Sequence, residues 1–406
     1  MCKDQYLIAN SPIVQRKVKK QTIAFIIGTF GHGRGGHFWD LKTISETLKS
    51  QREVIVFNIG VSSSPVLEQA NVNVVNLPLN AFISVREIKK IVKEHNIGVI
   101  YSIDSRVDFI SSIVCDYFKI PLIIIKPGGP NPKGTYPVMQ KMIVYSAENY
   151  QYFSEKAGYD NKEILFIPNR SSIVNINKKY VDEIEQELPG DCFKFIQVIR
   201  IAPEYYNNLV QSIELVNRLT NISDINVALV IIGVVQDEMI MEELKQKAKG
   251  LPVYFFANNE YTKSASELLS VGDAVIANGR SVMEASSLNL PILVSAKNTE
   301  IPVLLNDDVF NSAFKVNFSP RFECPKGILS EEDNLEAILN LIDHESHLIK
   351  NKNFSKECFD KHFNIASVVD QYIEISDASD YMKTSLKSKT IMMKKYISSV
   401  IKTWAN

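Results

Sequence analysis

Three stretches of the sequence carry residue types and spacings suited to chemistry. The first is Gly28–His37 (GTFGHGRGGH), directly after the apolar run Thr22–Ile27 and ahead of a helical pattern. Glycines let a backbone approach a phosphate closely, and a following helix offers amides and the positive end of its dipole. The spacing is not the GxGxxG dinucleotide fingerprint with its acid about 20 residues on, nor a Walker loop, since no Gly-Lys-Ser/Thr follows. Five glycines within nine positions at the end of a strand favour a ligand loop over a plain flexible turn. The second is Arg200, at the tip of the run Lys194–Ile199, where a guanidinium can hold a diphosphate bidentately or simply pair with a surface acid. The third is Asn278–Ala285 (NGRSVMEA). Here a strand ends, glycine turns the chain, and a helix opens with amides free for an anion. Glu284 can accept hydrogen bonds from a ribose diol, or merely complement the helix dipole.

Residues of this kind need strand tips to hold them, and the pattern supplies strands. Short β-branched runs alternate with longer helical stretches, the signature of parallel α/β layers. Strands are expected at 22–27, 53–59, 73–77, 98–103, 121–125 and 142–145, with helices at 41–50 and 84–95 between them. A second series starts after a polar interval, with a charged helical stretch at 175–189 and strands at 194–199, 226–232, 253–257, 274–277 and 291–295. Helices at 209–219, 238–249, 264–269 and 283–288 separate them. This predicts an N-terminal Rossmann-like domain over 1–170, a C-terminal one over 171–370, and a helical segment over 371–406. In such folds ligands bind beyond the carboxyl ends of the strands.

The last segment is basic: beyond Asp380 it has no acidic residue, but lysines at 383, 387, 389, 394, 395 and 402. Met393, Ile397, Val400 and Trp404 fall at helical spacing, so this helix either lies on an anionic membrane surface or packs back across the other domain.

Composition narrows the function class. The 406 residues carry 45 Lys+Arg against 46 Asp+Glu, so bulk nucleic-acid binding has no global electrostatic support. Hydrophobic residues at 45% and charged residues at 22% suit a globular protein with real cores. Cys2, Cys115, Cys192, Cys324 and Cys358 are scattered without a CxxC pair, which argues against a disulfide scaffold or a zinc ribbon and for a reducing compartment. No apolar run reaches the ~18 residues of a membrane span, and the polar start with no small-residue cleavage site predicts no signal peptide. A cytoplasmic location is the expectation.

Together these motifs resemble a family. The sequence is similar to glycosyltransferases of the GT-B fold, family 4 (glycosyltransferase group 1), over residues 22 to 370. Strand, Gly35-Gly36 and helix match the family's N-terminal glycine loop. Val144-Tyr145-Ser146 followed by Phe166-Ile167-Pro168-Asn169 resembles the segment closing its first domain. Arg200 falls at its diphosphate-binding arginine. Glu284-Ala285, then Leu290-Pro291-Ile292, resembles its Glu-Ala…Gly-x-Pro signature, whose glutamate binds the donor ribose. Four positions depart: Tyr205 stands for a usual lysine, Ile276 for a first glutamate, Leu290 for a glycine, and Lys126 for a histidine that often ends that strand.

The resemblance implies an α/β protein with two Rossmann-like, doubly wound domains facing across a cleft. It implies a retaining transferase that takes a sugar from a nucleotide-sugar, with no cofactor and no obligatory metal; there is also no DxD-like pair at a strand end. The donor diphosphate is expected between Arg200, Arg280 and the loop Gly33, Gly35 and Gly36, with Asn278, Gly279, Ser281 and Glu284 completing the donor site; Arg280, absent from the family signature, either supplies the missing lysine's charge or pairs with a local acid. A saccharide or lipid-linked acceptor is expected near His32, His37 and Asp104, none of which is singled out as base. The family's commonest occupation is bacterial surface polysaccharide synthesis, with the segment 383–404 touching the inner face of the membrane. The departures keep open a non-catalytic GT-B partner of an active transferase, and a GT-B sugar-nucleotide epimerase.

Overall fold

Runs such as Thr22–Thr29 and Val227–Ile232 are apolar at almost every position and every residue in them is buried, as expected of parallel strands covered on both faces. The computed structural model describes residues 21–160, 162–222 and 225–405. Cys2 and the polar N-terminal stretch, from which no signal peptide is expected, lie outside the described residues.

The first sheet uses β1 (Thr22–Thr29), β2 (Val54–Gly60), β3 (Asn73–Pro78), β4 (Ile97–Ser102), β5 (Leu122–Lys126), β6 (Lys141–Val144) and β7 (Glu163–Phe166). Its order is β3-β2-β1-β4-β5-β6-β7, parallel throughout. Four helices cross over it: α1 (Gly36–Leu48), α2 (Ala81–Glu94), α3 (Asp108–Phe118) and α4 (Ala147–Ser154). The second domain opens with α5 (Lys178–Glu185) and alternates β8 (Phe193–Val198), α6 (Tyr206–Ile222), β9 (Val227–Ile232), α7 (Glu238–Lys247), β10 (Val253–Phe256) and α8 (Asn259–Thr262). It continues through β11 (Ala274–Ala277), α9 (Arg280–Ser287), β12 (Ile292–Val294) and β13 (Val303–Leu304) to α10 (Asp307–Lys315), α11 (Glu331–Asp343) and α12 (Glu345–Cys358). The sheet order is β10-β9-β8-β11-β12-β13, with only the last pair antiparallel. Both sheets reverse direction beside their first strand, which is the doubly wound arrangement that opens a crevice at the strand tips.

Most of the expected strands are present to within a residue or two. The sequence pattern gave no element between Ser295 and Asp380, where β13, α10, α11 and α12 now stand, nor did it mark α3, α4 or β7.

The chain then returns to the first domain through α13 (Val369–Asp377) and α14 (Leu386–Ala405). Val368, Tyr372 and Ile375 share a core with Phe38, Leu41 and Tyr145, and the Tyr101 hydroxyl donates to the Tyr372 carbonyl at 3.1 Å. Met392 and Tyr396 of α14 bury against Ile110 and Val114 of α3, and the Tyr396 hydroxyl donates to the Leu79 carbonyl. Segment 371–405 thus packs back as a wall of the first domain, with one face of α14 buried there and the other left exposed. Val400 turns partly inward with this face. Met393, Ile397, Ile401 and Trp404 point outward, Trp404 with 79% of its surface exposed. Among the described residues no helix is long and apolar enough to cross a membrane.

Candidate active site

The glycine loop leaves the tip of β1 on a tether: Thr29 Oγ1 donates to Asn58 Oδ1 at 2.6 Å. Gly33 has φ +64°, and a Cβ there would lie 2.9 Å from Ser64 Cα, so this position needs glycine on both counts. The Ser64 hydroxyl fixes the turn by donating to the Gly33 carbonyl at 2.6 Å. Gly35, extended, caps α1 without any side-chain bond.

His37 stands in the first turn of α1, half-buried, and its Nε2 is buried with no hydrogen-bond partner. Burial lowers its pKa against an opposing pull from Asp104, so the imidazole is neutral near pH 7. Asp104, just past the tip of β4, is buried; it takes a hydrogen bond from the Arg106 backbone at 2.9 Å and an ion pair from its guanidinium at 2.6 Å. His37 and Asp104 line one cavity; His32 is exposed on the loop and is not part of that lining. The structure therefore brings together two of the three expected acceptor-side residues.

Across the interface, β11 ends at Ala277 and α9 starts three residues later. The Asn278 amide donates to Ser281 Oγ at 3.0 Å, and that hydroxyl donates back to the Asn278 carbonyl at 2.9 Å. Gly279 holds φ +56°, ψ −121°, a region open to glycine, and its N–H donates to the Phe318 carbonyl at 2.7 Å. Asn278 Oδ1 accepts from Asn208 Nδ2 at 2.9 Å, while Asn278 Nδ2 is buried without a partner among the described residues.

Arg280 requires a correction. The sequence left it either on the diphosphate or paired with a local acid; the structure engages it with protein groups, a local acid among them. Its Nε donates to Glu284 at 2.8 Å, Nη1 to Asp40 at 2.5 Å and to the Arg170 carbonyl at 3.2 Å, and Nη2 to Thr43 Oγ1 at 3.1 Å. Asp40 and Thr43 belong to α1, so one guanidinium ties the start of the second domain's α9 to the first domain just behind the glycine loop. The triad is nearly dry. Burial raises Asp40 to about 6 against the opposing pull of Arg280, and raises Glu284 in the same way. Such carboxylates stay charged only because the cation lies between them.

Arg200, beyond the tip of β8, has about half its side chain in solvent. Its Nη2 donates to the Tyr205 hydroxyl at 2.8 Å, and its guanidinium lies 5.0 Å from the Tyr205 ring centroid. Tyr205, where the resemblance expects a lysine, thus orients the guanidinium, which also lies 3.6 Å from Glu204. Sequence missed Asp40, whose only signal was an acid set among apolar positions of α1, and Lys126, whose signal was the departure at the tip of β5. Among the described residues no group of three His, Cys, Asp or Glu is placed to hold a metal ion.

No family model matches the sequence, and no curated protein does. Solved structures do. The chain superposes on Anabaena HepE, solved in complex with UDP and glucose, with TM-score 0.64 and 16% identity over 88% of this chain and 100% of that one. A glycosyltransferase from Rickettsia africae gives TM-score 0.65 at 13% identity, covering 88% and 98%. The UDP-GlcNAc 2-epimerase of Neisseria meningitidis, bound to UDP-GlcNAc, gives 0.54 at 13% identity, covering 87% and 99%. This chain has the GT-B fold. At these identities the likeness is one of fold, and in the GT-B arrangement the two glycine-marked strand tips, after β1 and after β11, meet through Arg280.

Proposed function

We propose that the chain is a retaining glycosyltransferase of the family 4 type, moving a sugar from a nucleotide-sugar to a saccharide or lipid-linked saccharide acceptor in surface polysaccharide synthesis. The observation that carries this reading is the Arg280 bridge, which sets the loop Gly33–Gly36 beside Asn278–Glu284 although they lie far apart in sequence. UDP and UDP-sugar complexes of the structural neighbours support a nucleotide-sugar ligand.

On this reading the nucleotide lies on the second domain, with Glu284 on the ribose diol and Asn278, Gly279 and Ser281 around the phosphates. Departure of the sugar leaves negative charge on the diphosphate. Arg200 and the amide ends of α1 and α9 are fixed before that charge develops, so they stabilise the transition state more than the ground state. The acceptor enters from the first domain, where neutral His37, with Nε2 unpartnered, can accept a hydrogen bond from the acceptor hydroxyl. The work is done in the cytoplasm, with α14 resting its outward face, Met393, Ile397, Ile401 and Trp404, on the inner membrane surface.

The test is calorimetric binding of UDP, GDP, ADP and CMP, followed by turnover of the matching nucleotide-sugars with and without acceptor. One diphosphate should bind, and Arg200→Ala, a solvent-facing change, should weaken it roughly 10- to 100-fold, the worth of a charge-assisted hydrogen bond. If no nucleotide binds the folded protein, the transferase reading fails in favour of a non-catalytic partner. Donor turnover without acceptor, giving an epimer, would move it to the epimerase class.

A further inference from the structure

A cavity of about 730 Å³ opens at the tips of β4 and β5. Ile103, Ile125 and buried Tyr136 give it an apolar lining, and the proline-rich loop after β5 forms a rim. One wall is α14 itself, through Thr390, Ile391, Lys394 and Lys395. The charge is one-sided. Lys126, Lys133, Lys394 and Lys395 all line the cavity, and among the described residues none of them is in an ion pair. By contrast Lys389, on the same helix, pairs with Asp116 at 2.5 Å. The cavity's one lining acid, Asp104, is already neutralised by Arg106. Among the described residues half-buried Lys126 has only the Gly128 carbonyl as acceptor, and Lys395 only the Ser105 hydroxyl, beside the Tyr136 ring at 5.6 Å. Burial, reinforced by Lys395 and Arg321 against a weaker opposing pull from Glu148, brings Lys126 down to about 8.

In a chain of net charge −1 such a concentration of unpaired cations is not a compositional average. Ammonium groups held together without counter-charge repel, and the arrangement becomes favourable once a multiply charged anion enters. A single carboxylate would leave most of that charge unmatched, whereas a phosphoryl or diphosphoryl group, with several acceptor oxygens, matches it. The volume is in the range of a small-molecule site. His37 lines the same cavity, so a ligand anchored there is within the reach of the glycine loop.

We propose that this cavity is an acceptor subsite that holds the acceptor by a phosphoryl or diphosphoryl group, with Lys394 and Lys395 of α14 closing it over Lys126. The proposal rests on the transferase reading for the word acceptor; the anion site itself stands on the lysines. It gives α14 a task in the site, beyond completing the core of the first domain.

The experiment is calorimetric titration of the full chain, with UDP present in excess, using inorganic pyrophosphate, glucose 1-phosphate and geranyl diphosphate as probes. At least one should bind, and Lys126→Met or the double variant Lys394→Gln/Lys395→Gln should weaken it tenfold or more, with the melting temperature unchanged in the double variant. Tighter binding of geranyl diphosphate than of glucose 1-phosphate identifies a lipid-linked source, and the reverse order a soluble sugar phosphate. Absence of binding by all three, or equal binding by wild type and both variants, overturns the proposal. UDP titrated separately against the same variants should bind as to wild type. Loss of UDP binding in wild type would refute the donor reading while leaving the lysine-dependent probe binding to decide this one.

Discussion

Arg280→Met removes the cation from the Asp40–Arg280–Glu284 triad while keeping most of the side-chain volume. Two carboxyls that the structure buries, Asp40 at 3% exposure and Glu284 at 9%, lose their shared partner. Breaking a buried ion pair from one side costs about 3–5 kcal/mol, because the remaining charge is uncompensated. At roughly 2–4 °C per kcal/mol, a domain of this size should melt some 6–20 °C lower at pH 8. The pH dependence gives the sharper check. Asp40 and Glu284 both titrate above their unfolded values in the native state, Asp40 at about 6 against 3.8. The native state therefore binds more protons than the unfolded one in that window, and stability falls as pH rises through it. With Arg280 gone, the attraction that held Asp40 down to about 6 is gone too, so the loss extends to higher pH. The deficit against wild type should be full at pH 8 and shrink below about 2 kcal/mol at pH 5, because protonation of the buried carboxyls removes the uncompensated charge. The assay is thermal and urea unfolding of both proteins from pH 5 to pH 8. A deficit under about 1 kcal/mol at pH 8, or one equal at both ends of the range, would show that water or another group serves the carboxylates and that the triad is not a dry clamp. Asp40→Asn/Arg280→Met/Glu284→Gln should recover part of the loss, since neutral buried amides do not need the cation.

Three further outcomes are expected. Gly279→Val forces a side chain into a glycine-only backbone region and should cost about 1–3 kcal/mol by urea unfolding, whereas Gly190→Val, at an open position without positive φ, should stay within about 0.5 kcal/mol; equal effects would mean the turn can relax. Met392→Ala opens a gap between α14 and α3 and should lose about 2–5 kcal/mol; an unchanged unfolding curve would mean that α14 docks without contributing to the core. Ile397→Ser/Trp404→Ser alters only the outward face of α14, so flotation with phosphatidylglycerol vesicles should drop at least tenfold at constant melting temperature; flotation equal to wild type would remove membrane contact through this helix.

The central strands were legible because β1, β4, β5 and β9 are nearly continuous apolar runs, which report themselves locally, whereas the short edge strand β7 (EILF) carries too little pattern to do so. Helix starts were harder. The helix α1 begins at Gly36, capped by Gly35 with no side-chain bond, so neither propensity nor a capping residue marks it. The helix α3 (DFISSIVCDYF) mixes serines with β-branched and aromatic residues, poor formers that fold there because Ile110 and Val114 bury. The site was legible by strand tip, motif by motif, but not by pairing. Arg280 read either as a diphosphate cation or as the partner of a local acid, and Glu284 four residues on is such an acid; its second partner, Asp40, is 240 residues away on another domain and had no signal. Lys126 and Lys395 read as a departure and as a solvated tail lysine for the same reason. Only the fold places them on one cavity.

The engagement of Glu284 by Arg280 bears directly on how a donor would be held. Arg280 occupies Oε1 through its Nε, which leaves Oε2 as the acceptor for a diol and fixes the plane in which it presents itself. A carboxylate oriented this way loses less freedom on binding than one on an unpinned side chain. The same guanidinium reaches Asp40 and Thr43 behind the glycine loop, so the orientation of Glu284 depends on the two domains being together. On the proposed reading, then, Arg280 does not replace the family's missing lysine. It couples domain contact to the geometry of the ribose-binding carboxylate and leaves Arg200, steered by Tyr205, as the one family-positioned cation for the diphosphate. Arg280→Lys separates this role from plain charge. A lysine keeps the positive charge but cannot form the fork to Asp40, Glu284 and Thr43 at once. It should therefore retain much of the stability that Arg280→Met loses while weakening nucleoside binding as well as nucleotide binding. A variant with wild-type affinity for both would show that the carboxylate needs the charge and not the geometry.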